Sequence, residues 1–481
     1  MARGNAGPMR IVQSCLVVLL VAALLVSWSW AGGQARRVIL MIGDGMGPAQ
    51  VGLVLDYLRL VKGEPANMEK LAQRGNTGYM TTNPLGALVT DSAASASALA
   101  TGRIYENGVI SWSEDGGDVV TVLERAHAAR KAVGLVTTTR LTHATPAAFA
   151  AHSLSRNTED VIARHELVRN RIDVLLGGGS RHFEGLVDTA AMLGYTVVRT
   201  AEELRELDLS RCDKVLGLFA EGHMAYEIDR AGTDEPSLAE MTEAALARLD
   251  CDREGFFLVV EGGRIDHACH DNDAGTTLRG LLAFDEAVGV ALAYADRHRG
   301  TLLLVTADHE TGGMGVSPAP PNGGDGSDYQ TGYGGSDRLA LLGSQTSSFA
   351  RAAWERDSLT AEAIRQIILD VNGLDIGIAQ ATWAAELEER PFFGASRSNL
   401  LGWAVGPSMQ VTWASSDHTA TPVLIFGTGP RAERFRGIHH VSEVGRLLFQ
   451  VMDLKHEHRL GFPWGDGSES GRKYRTRERT K

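Results

Sequence analysis

The run Thr90-Asp91-Ser92-Ala93-Ala94-Ser95-Ala96-Ser97-Ala98-Leu99-Ala100-Thr101-Gly102 sets one serine, Ser92, among small residues at the predicted start of a helix. A phosphoryl group can reach a hydroxyl placed there, and the helix N-terminus favours the negative charge it brings. Taken alone, the run better fits a serine that only caps the helix, as helix-starting serines usually do. Three other segments shift the balance toward chemistry. Val38-Ile39-Leu40-Met41-Ile42 leads into Gly43-Asp44-Gly45, Phe256-Phe257-Leu258-Val259-Val260 leads into Glu261 and then Asp266-His267-Ala268-Cys269-His270, and Leu302-Leu303-Leu304-Val305-Thr306 leads into Ala307-Asp308-His309. Short apolar runs of this kind predict buried strands of a mostly parallel sheet, and ligands gather beyond the carboxyl ends of such strands. Asp44, Glu261, Asp266 and Asp308 are therefore expected at one edge. Four carboxylates sharing a buried site require cations, because like charges and lost hydration otherwise force protonation. His270, His309 and His418 add neutral nitrogen donors, so the mixed set suits Zn²⁺ and all-oxygen positions suit Mg²⁺.

The elements that must hold these groups follow from the periodicity. Helical patterns cover residues 49–60, 119–130, 145–152, 235–249, 278–295 and 441–451, and strands are expected at 133–138, 172–176, 196–199, 215–219 and 422–426. This alternation, without a clear linker, predicts one large α/β domain over residues 37–454: a three-layer αβα sandwich around a central, mostly parallel sheet. Residues 317–348, rich in Gly, Pro, Ser and Asp, are expected to form a surface-loop insertion beside the site. Residues 375–410 show no clean period and are expected to form a second insertion.

In chain order, Gly43-Asp44-Gly45-Met46-Gly47, Thr90-Asp91-Ser92-Ala93-Ala94, Ala144-Thr145-Pro146-Ala147-Ala148 with His152 and Arg156, Val260-Glu261-Gly262, Ile265-Asp266 with His270, Thr306-Ala307-Asp308-His309, and Asp417-His418-Thr419 resemble the motifs of the alkaline phosphatase family. The resemblance implies a phosphomonoesterase in which Ser92 is the nucleophile and passes through a phosphoserine that water then hydrolyses. It implies that Asp44, Asp308 and His309 hold the zinc that activates Ser92, and that Asp266, His270 and His418 hold a second zinc facing the leaving group. Glu261 and Thr145, with Asp44 bridging, would form a third site, usually magnesium. Arg156 would grip two phosphate oxygens with its planar fork. The implied substrates are small phosphate monoesters over a broad range, and the implied assembly is a homodimer with residues 375–410 as an interface insertion. Two positions depart from the best-known bacterial pattern. His143 stands near the third metal in place of Asp, which opens that site to Zn²⁺ as well as Mg²⁺. His267 stands near the phosphate in place of Lys, which removes an ammonium charge and is expected to loosen phosphate binding.

Neighbouring activities fit less well. Sulfatases need a Cys or Ser within a Pro/Arg-containing motif that Asp91-Ser92-Ala93 lacks, and diesterases commonly use Thr and dispense with the third metal site. A silent phosphate- or metal-binding protein would have no use for Ser92 alongside the leaving-group ligands.

Bulk properties bound the rest. The 481 residues are 44% hydrophobic and 22% charged, a soluble globular composition, and the net charge of −12 argues against a nucleic-acid partner. Residues 1–31 read as an export signal, with Arg3 and Arg10 before an apolar stretch and Ser29-Trp30-Ala31 as a cleavage site, which points to a periplasmic or secreted protein. An uncleaved signal is the one expected route to membrane contact. An exported setting permits a Cys212–Cys251 disulfide, a pairing sequence alone does not establish, and leaves Cys269 as a buried free thiol. Residues 465–481 carry clustered Lys and Arg and are expected to form a disordered basic tail.

Overall fold

The computed structural model describes residues 33–113, 117–317, 335–354, 359–389 and 396–456. The expected signal at 1–31 and the basic tail at 465–481 lie outside the described residues.

A ten-stranded sheet forms the centre, in the order Gly437–His440, Thr77–Thr81, Val423–Thr428, Thr301–Thr306, Arg37–Ile42, Phe256–Glu261, Ala132–Arg140, Val174–Gly178, Lys214–Leu218 and Tyr195–Val198. Every pairing is parallel except those of Val423–Thr428, which runs antiparallel to both its neighbours. The central strands are buried on both faces: all six residues of Phe256–Glu261 and of Thr301–Thr306 are buried, as are five of the six in Arg37–Ile42. That is why their sequences are near-continuous apolar runs rather than alternating ones. Helices cover both faces and complete the three-layer sandwich, the longest being Ala274–Arg297.

Register carries the functional consequence. Ile42 pairs with both Glu261 and Thr306, so the carboxyl ends of three adjacent strands finish level, and Thr137 lies opposite Glu261 on the fourth, which runs on to Arg140. The segments leaving those ends emerge side by side.

Helix Ser92–Thr101 stands against this edge with all ten residues buried. Its Ser/Ala composition allows close approach of its neighbours. Gly445 in helix Val441–Val451 is the clearest case, since a Cβ there would lie 2.3 Å from the Ala98 carbonyl oxygen.

Two expectations are corrected, and the segment 375–410 proves to contain regular structure. Part of the expected loop at 317–348 is helix Ser336–Gly343, whose short run Leu339-Ala340-Leu341-Leu342 is obscured in sequence by the Gly- and Ser-rich flanks. Within 375–410 lie helices Ile378–Ala385 and Arg397–Met409. The second is buried almost all round, from Ser398 through Met409, so it presents no apolar stripe for a periodicity reading to find. The helix expected from 119 starts at Val122, because Thr121 and Glu124 close a capping box there.

Candidate active site

Asp44 sits in the turn after strand Arg37–Ile42. Gly45 makes that turn with φ +71°, and a Cβ on it would meet Thr311 Oγ1 at 2.8 Å and the Asp266 Cα at 2.9 Å. Both the backbone conformation and the close approach demand glycine. Glu261 is the last residue of its strand, and Asp266 and His270 follow one turn apart on helix Arg264–His270, on one face. Asp308 and His309 follow strand Thr301–Thr306, and His418 arrives on a two-residue strand paired with Glu310–Thr311.

These residues converge into overlapping groups. Ligand atoms of Asp44, Asp308 and His309 lie within 4.8 Å of one another, as do those of Asp266, His309 and His418, and those of Asp44, His143 and Glu261. His270 joins the second group, its Nε2 lying 3.3 Å from Asp266 Oδ2 and 3.1 Å from His418 Nε2. His309 and His418 stack with ring centroids 3.6 Å apart and so link the first two groups.

The imidazole tautomers follow from the partners. His270 Nδ1 faces the Ser416 carbonyl at 2.5 Å and His418 Nδ1 the Thr90 carbonyl at 2.8 Å; carbonyls only accept, so both Nδ1 atoms carry hydrogens. The Thr311 hydroxyl donates to Asp266 Oδ1 at 2.5 Å and is therefore free to accept from His309 Nδ1 at 3.2 Å. Each ring thus turns Nε2 toward the carboxylates, the orientation of a metal ligand steadied from behind.

Electrostatics agree. Burial first, then the neighbouring acids, raises Asp44 well above the usual carboxylate range, and the same causes push Asp308 up to about 8. Burial also raises Glu261. For Asp266 burial is outweighed by His270, His418 and His309, which hold its carboxyl well down; reciprocally, Asp266 overcomes burial and raises His270 to about 9. Asp44 Oδ1 and Oδ2, Glu261 Oε1, Asp308 Oδ2, Thr145 Oγ1 and His143 Nδ1 are all buried without a hydrogen-bond partner among the described residues. Buried orphans of this kind are costly and rare, and here they share one pocket. The donor set therefore fits divalent cations: oxygen and nitrogen in the first two groups, oxygen-rich in the third.

Ser92 is the first residue of its helix, and its Oγ lies 3.2 Å from His309 Nε2. The capping duty falls to Asp91, which accepts from Ala94 N at 2.9 Å and leaves Ser92 free of that role. Asp91 also accepts from Gly108 N at 3.0 Å and from Arg156 Nη1 at 3.1 Å. Arg156 Nη2 lies 3.0 Å from His143 Nε2. A guanidinium only donates, so His143 Nε2 accepts and the proton sits on Nδ1. His143 cannot keep this bond and ligate a cation: Nε2 would be occupied directly, or its hydrogen would face another donor.

Several neighbours escaped the sequence reading. Thr137 and Thr139 both bond Glu261 Oε2, Thr311 bridges Asp266 and His309, and Asn399 donates to the His270 carbonyl at 2.6 Å. Thr311 lay in plain sight two residues after His309; the others come from distant segments. His267 is held by Arg264 Nη1 at 2.8 Å from its Nδ1 and is lowered by burial to about 3. His152 bonds the Ser111 carbonyl and Glu124, away from the cluster. Cys269 is a free buried thiol beside Gln50 and Thr277, with its pKa pushed up by burial, and Cys212 and Cys251 form a disulfide.

The profile of the alkaline phosphatase family matches residues 35–454. Alkaline phosphatase 4 of Bacillus subtilis is 33% identical over 87% of this chain and 89% of its own length. Streptomycin-6-phosphate phosphatase of Streptomyces griseus is 36% identical over 62% of this chain and 79% of that protein. The solved alkaline phosphatase of Thermus thermophilus superposes with a TM-score of 0.79 at 34% identity, over 89% of this chain and 93% of that one. With fold, acidic–imidazole cluster and motif order in agreement, the chain belongs to the alkaline phosphatase family, metal-dependent hydrolases of phosphate monoesters.

Proposed function

We propose that this enzyme hydrolyses a broad range of small phosphate monoesters by two displacements, through a covalent phosphoserine on Ser92. The observation that carries the reading is the Ser92 hydroxyl 3.2 Å from His309 Nε2, where the two acid–imidazole groups meet. Asp44, Asp308 and His309 would hold one Zn²⁺, and Asp266, His270 and His418 a second. Asp44, Glu261 and Thr145 would hold Mg²⁺, with His143, once released by Arg156, allowing Zn²⁺ in that place. When bound, these cations neutralise the phosphoryl group, acidify the serine hydroxyl and stabilise the departing oxygen.

In this reading the Ser92 oxygen forms a bond to phosphorus as the ester P–O bond breaks and the alcohol leaves with a proton. Water then attacks phosphorus, the Ser92 P–O bond breaks, and inorganic phosphate and the serine hydroxyl are restored. The first turn of helix Ser92–Thr101 favours the incoming negative charge. Asp91 holds Arg156 from behind, so its fork reaches the equatorial oxygens without a search of rotamers. His267, kept neutral by burial and then by Arg264 on its Nδ1, would offer Nε2–H on the phosphate side. None of these groups addresses the alcohol, and the relative named for streptomycin 6-phosphate supports a site that serves structurally different alcohols.

Export and dimerisation belong to the same proposal. The Cys212–Cys251 disulfide supports an oxidising compartment, periplasmic or extracellular. Among the described residues no helix is long and apolar enough to cross a membrane. Tyr79 and Ile438 are register neighbours on the last two strands of the sheet and are 49% and 77% exposed, while Leu88, 82% exposed, follows nearby in the chain. This apolar edge supports coverage by a second copy.

The test is Ser92→Ala, assayed on a chromogenic monoester, the matching diester and the sulfate, with and without chelator. Turnover of the monoester should fall by orders of magnitude while metal content stays near wild type. Unchanged turnover, or full wild-type activity after verified metal removal, would end the proposal.

A further inference from the structure

Three imidazoles meet on the side of the pocket where His143 and Arg156 lie. The rings of His143, His223 and His267 pack edge to face, with centroids 5.3 Å apart for His143–His223, 5.6 Å for His143–His267 and 4.4 Å for His223–His267. An arginine backs each one: Arg156 on His143, Arg264 on His267 and Arg140 on His223. Arg140 can only donate, so His223 Nε2 accepts and the neutral ring carries its proton on Nδ1. His223 Nδ1 is buried and has no hydrogen-bond partner among the described residues.

The backbone is built to deliver this ring. His223 lies on the segment leaving strand Lys214–Leu218, and it is pinned on both sides. Gly222 O accepts from Gly179 N at 2.7 Å, and Met224 N donates to Thr138 O at 3.1 Å. A Cβ on Gly178 would lie 2.3 Å from Gly222 O, so the segment sits closer than any other residue type would permit. Arg140 is in turn clamped by Glu159 through Nε at 2.7 Å and Nη2 at 3.0 Å. A rigid segment, a clamped arginine and a sealed donor without an acceptor call for an acceptor supplied from the pocket.

We propose that His223 is a positioning residue of the phosphate side: it fixes the edge-on orientation of His267 and His143, and directs Nδ1–H at bound phosphate or at a water held on it. The proposal rests on the reading that places Arg156 and His267 against the phosphate. Its substrate-side consequence is affinity for the phosphoryl dianion and for the product, not recognition of the alcohol.

Two isosteric amides separate the functions of the two nitrogens. In His223→Asn the side-chain amide N–H stands in for Nδ1–H and the Arg140 acceptor is lost; in His223→Gln the terminal amide oxygen meets Arg140 and the inward donor is lost. His223→Phe keeps the ring and loses both. Inhibition by inorganic phosphate, kcat and KM on a chromogenic monoester, metal content and melting temperature are measured on the metal-loaded enzyme, with Arg156→Ala alongside. Loss of one hydrogen bond to a charged group corresponds to about a tenfold weaker phosphate inhibition. That loss is expected for Gln and Phe, with Asn within about threefold of wild type and metal content unchanged in all three. Equal inhibition constants across wild type, Asn, Gln and Phe overturn the proposal, as does a loss shared by Asn and Phe but absent in Gln, which would assign His223 to Arg140 alone. If Arg156→Ala weakens inhibition and the His223 variants do not, only this inference fails. If wild type and Arg156→Ala respond alike to phosphate, the underlying reading of the site fails with it.

Discussion

Glu166 offers a quantitative test of how burial governs this protein. It lies in the helical turn His165–Arg169, is fully inaccessible, and both its carboxyl oxygens lack a hydrogen-bond partner among the described residues. Burial, and then the charge of Glu159, raises its pKa well above the ordinary value near 4.5. In the window between these two values the folded chain holds a proton that the unfolded chain has released. Stability is therefore retained below the ordinary value and lost as pH climbs toward the raised one. The slope is about 1.4 kcal/mol per pH unit. Glutamine does not titrate, so Glu166→Gln removes the slope and leaves a pH-independent offset of about 1–3 kcal/mol for an unpartnered amide. With an unfolding entropy of about 2.1 cal/mol/K per residue over a span of about 420 residues, the slope becomes roughly 1.5 °C per pH unit. Melting scans of metal-loaded wild type and variant at one scan rate from pH 5 upward should show their difference moving in favour of the glutamine variant by about that amount per unit. A difference that stays flat with pH would refute the reasoning.

Three other expectations concern separate parts of the molecule. Asp91→Ala removes the cap of helix Ser92–Thr101 and should cost about 1–2 kcal/mol in denaturant melts, with a raised KM as Arg156 loses its anchor; unaltered stability would deny the capping role. His267→Lys restores an ammonium on the phosphate side and should tighten product inhibition; inhibition no tighter than wild type would contradict the assigned place of His267. Cys212→Ser opens a link between residues 39 apart and should cost about 2–4 kcal/mol in denaturant unfolding, whereas a loss below about 1 kcal/mol would show that the link constrains little.

Much of this was legible because the central strands are buried on both faces: an apolar run ending in Asp or Glu is a strong local signal, and level strand ends do the rest. Helix Arg397–Met409 was illegible because burial over most of its surface leaves no polar face to mark a helical period, and Pro407 interrupts it. The choice between Asp91 and Ser92 as helix cap turned on one residue of backbone geometry, which composition does not report. His223, Arg140 and Arg264 stand on three separate segments and carry no shared motif. Their relation exists only in the folded chain, so no window of sequence contains it.

The acidic pocket also bears on how the chain matures. Its members span from Asp44 to His418, and one of its steadying bonds, from His418 to the Thr90 carbonyl, closes across 328 residues. Nascent fragments, however well they form local helices, lack a complete set of donors, and long-range parallel pairing of this kind assembles slowly. Until divalent ions arrive, buried carboxyls such as Asp44 and Asp308 are driven to hold protons in place of cations, a localised frustration that cation capture relieves. Ion loading is therefore a late, whole-fold event that favours only the completed molecule, and ion supply sets how much of the newly made chain becomes durable.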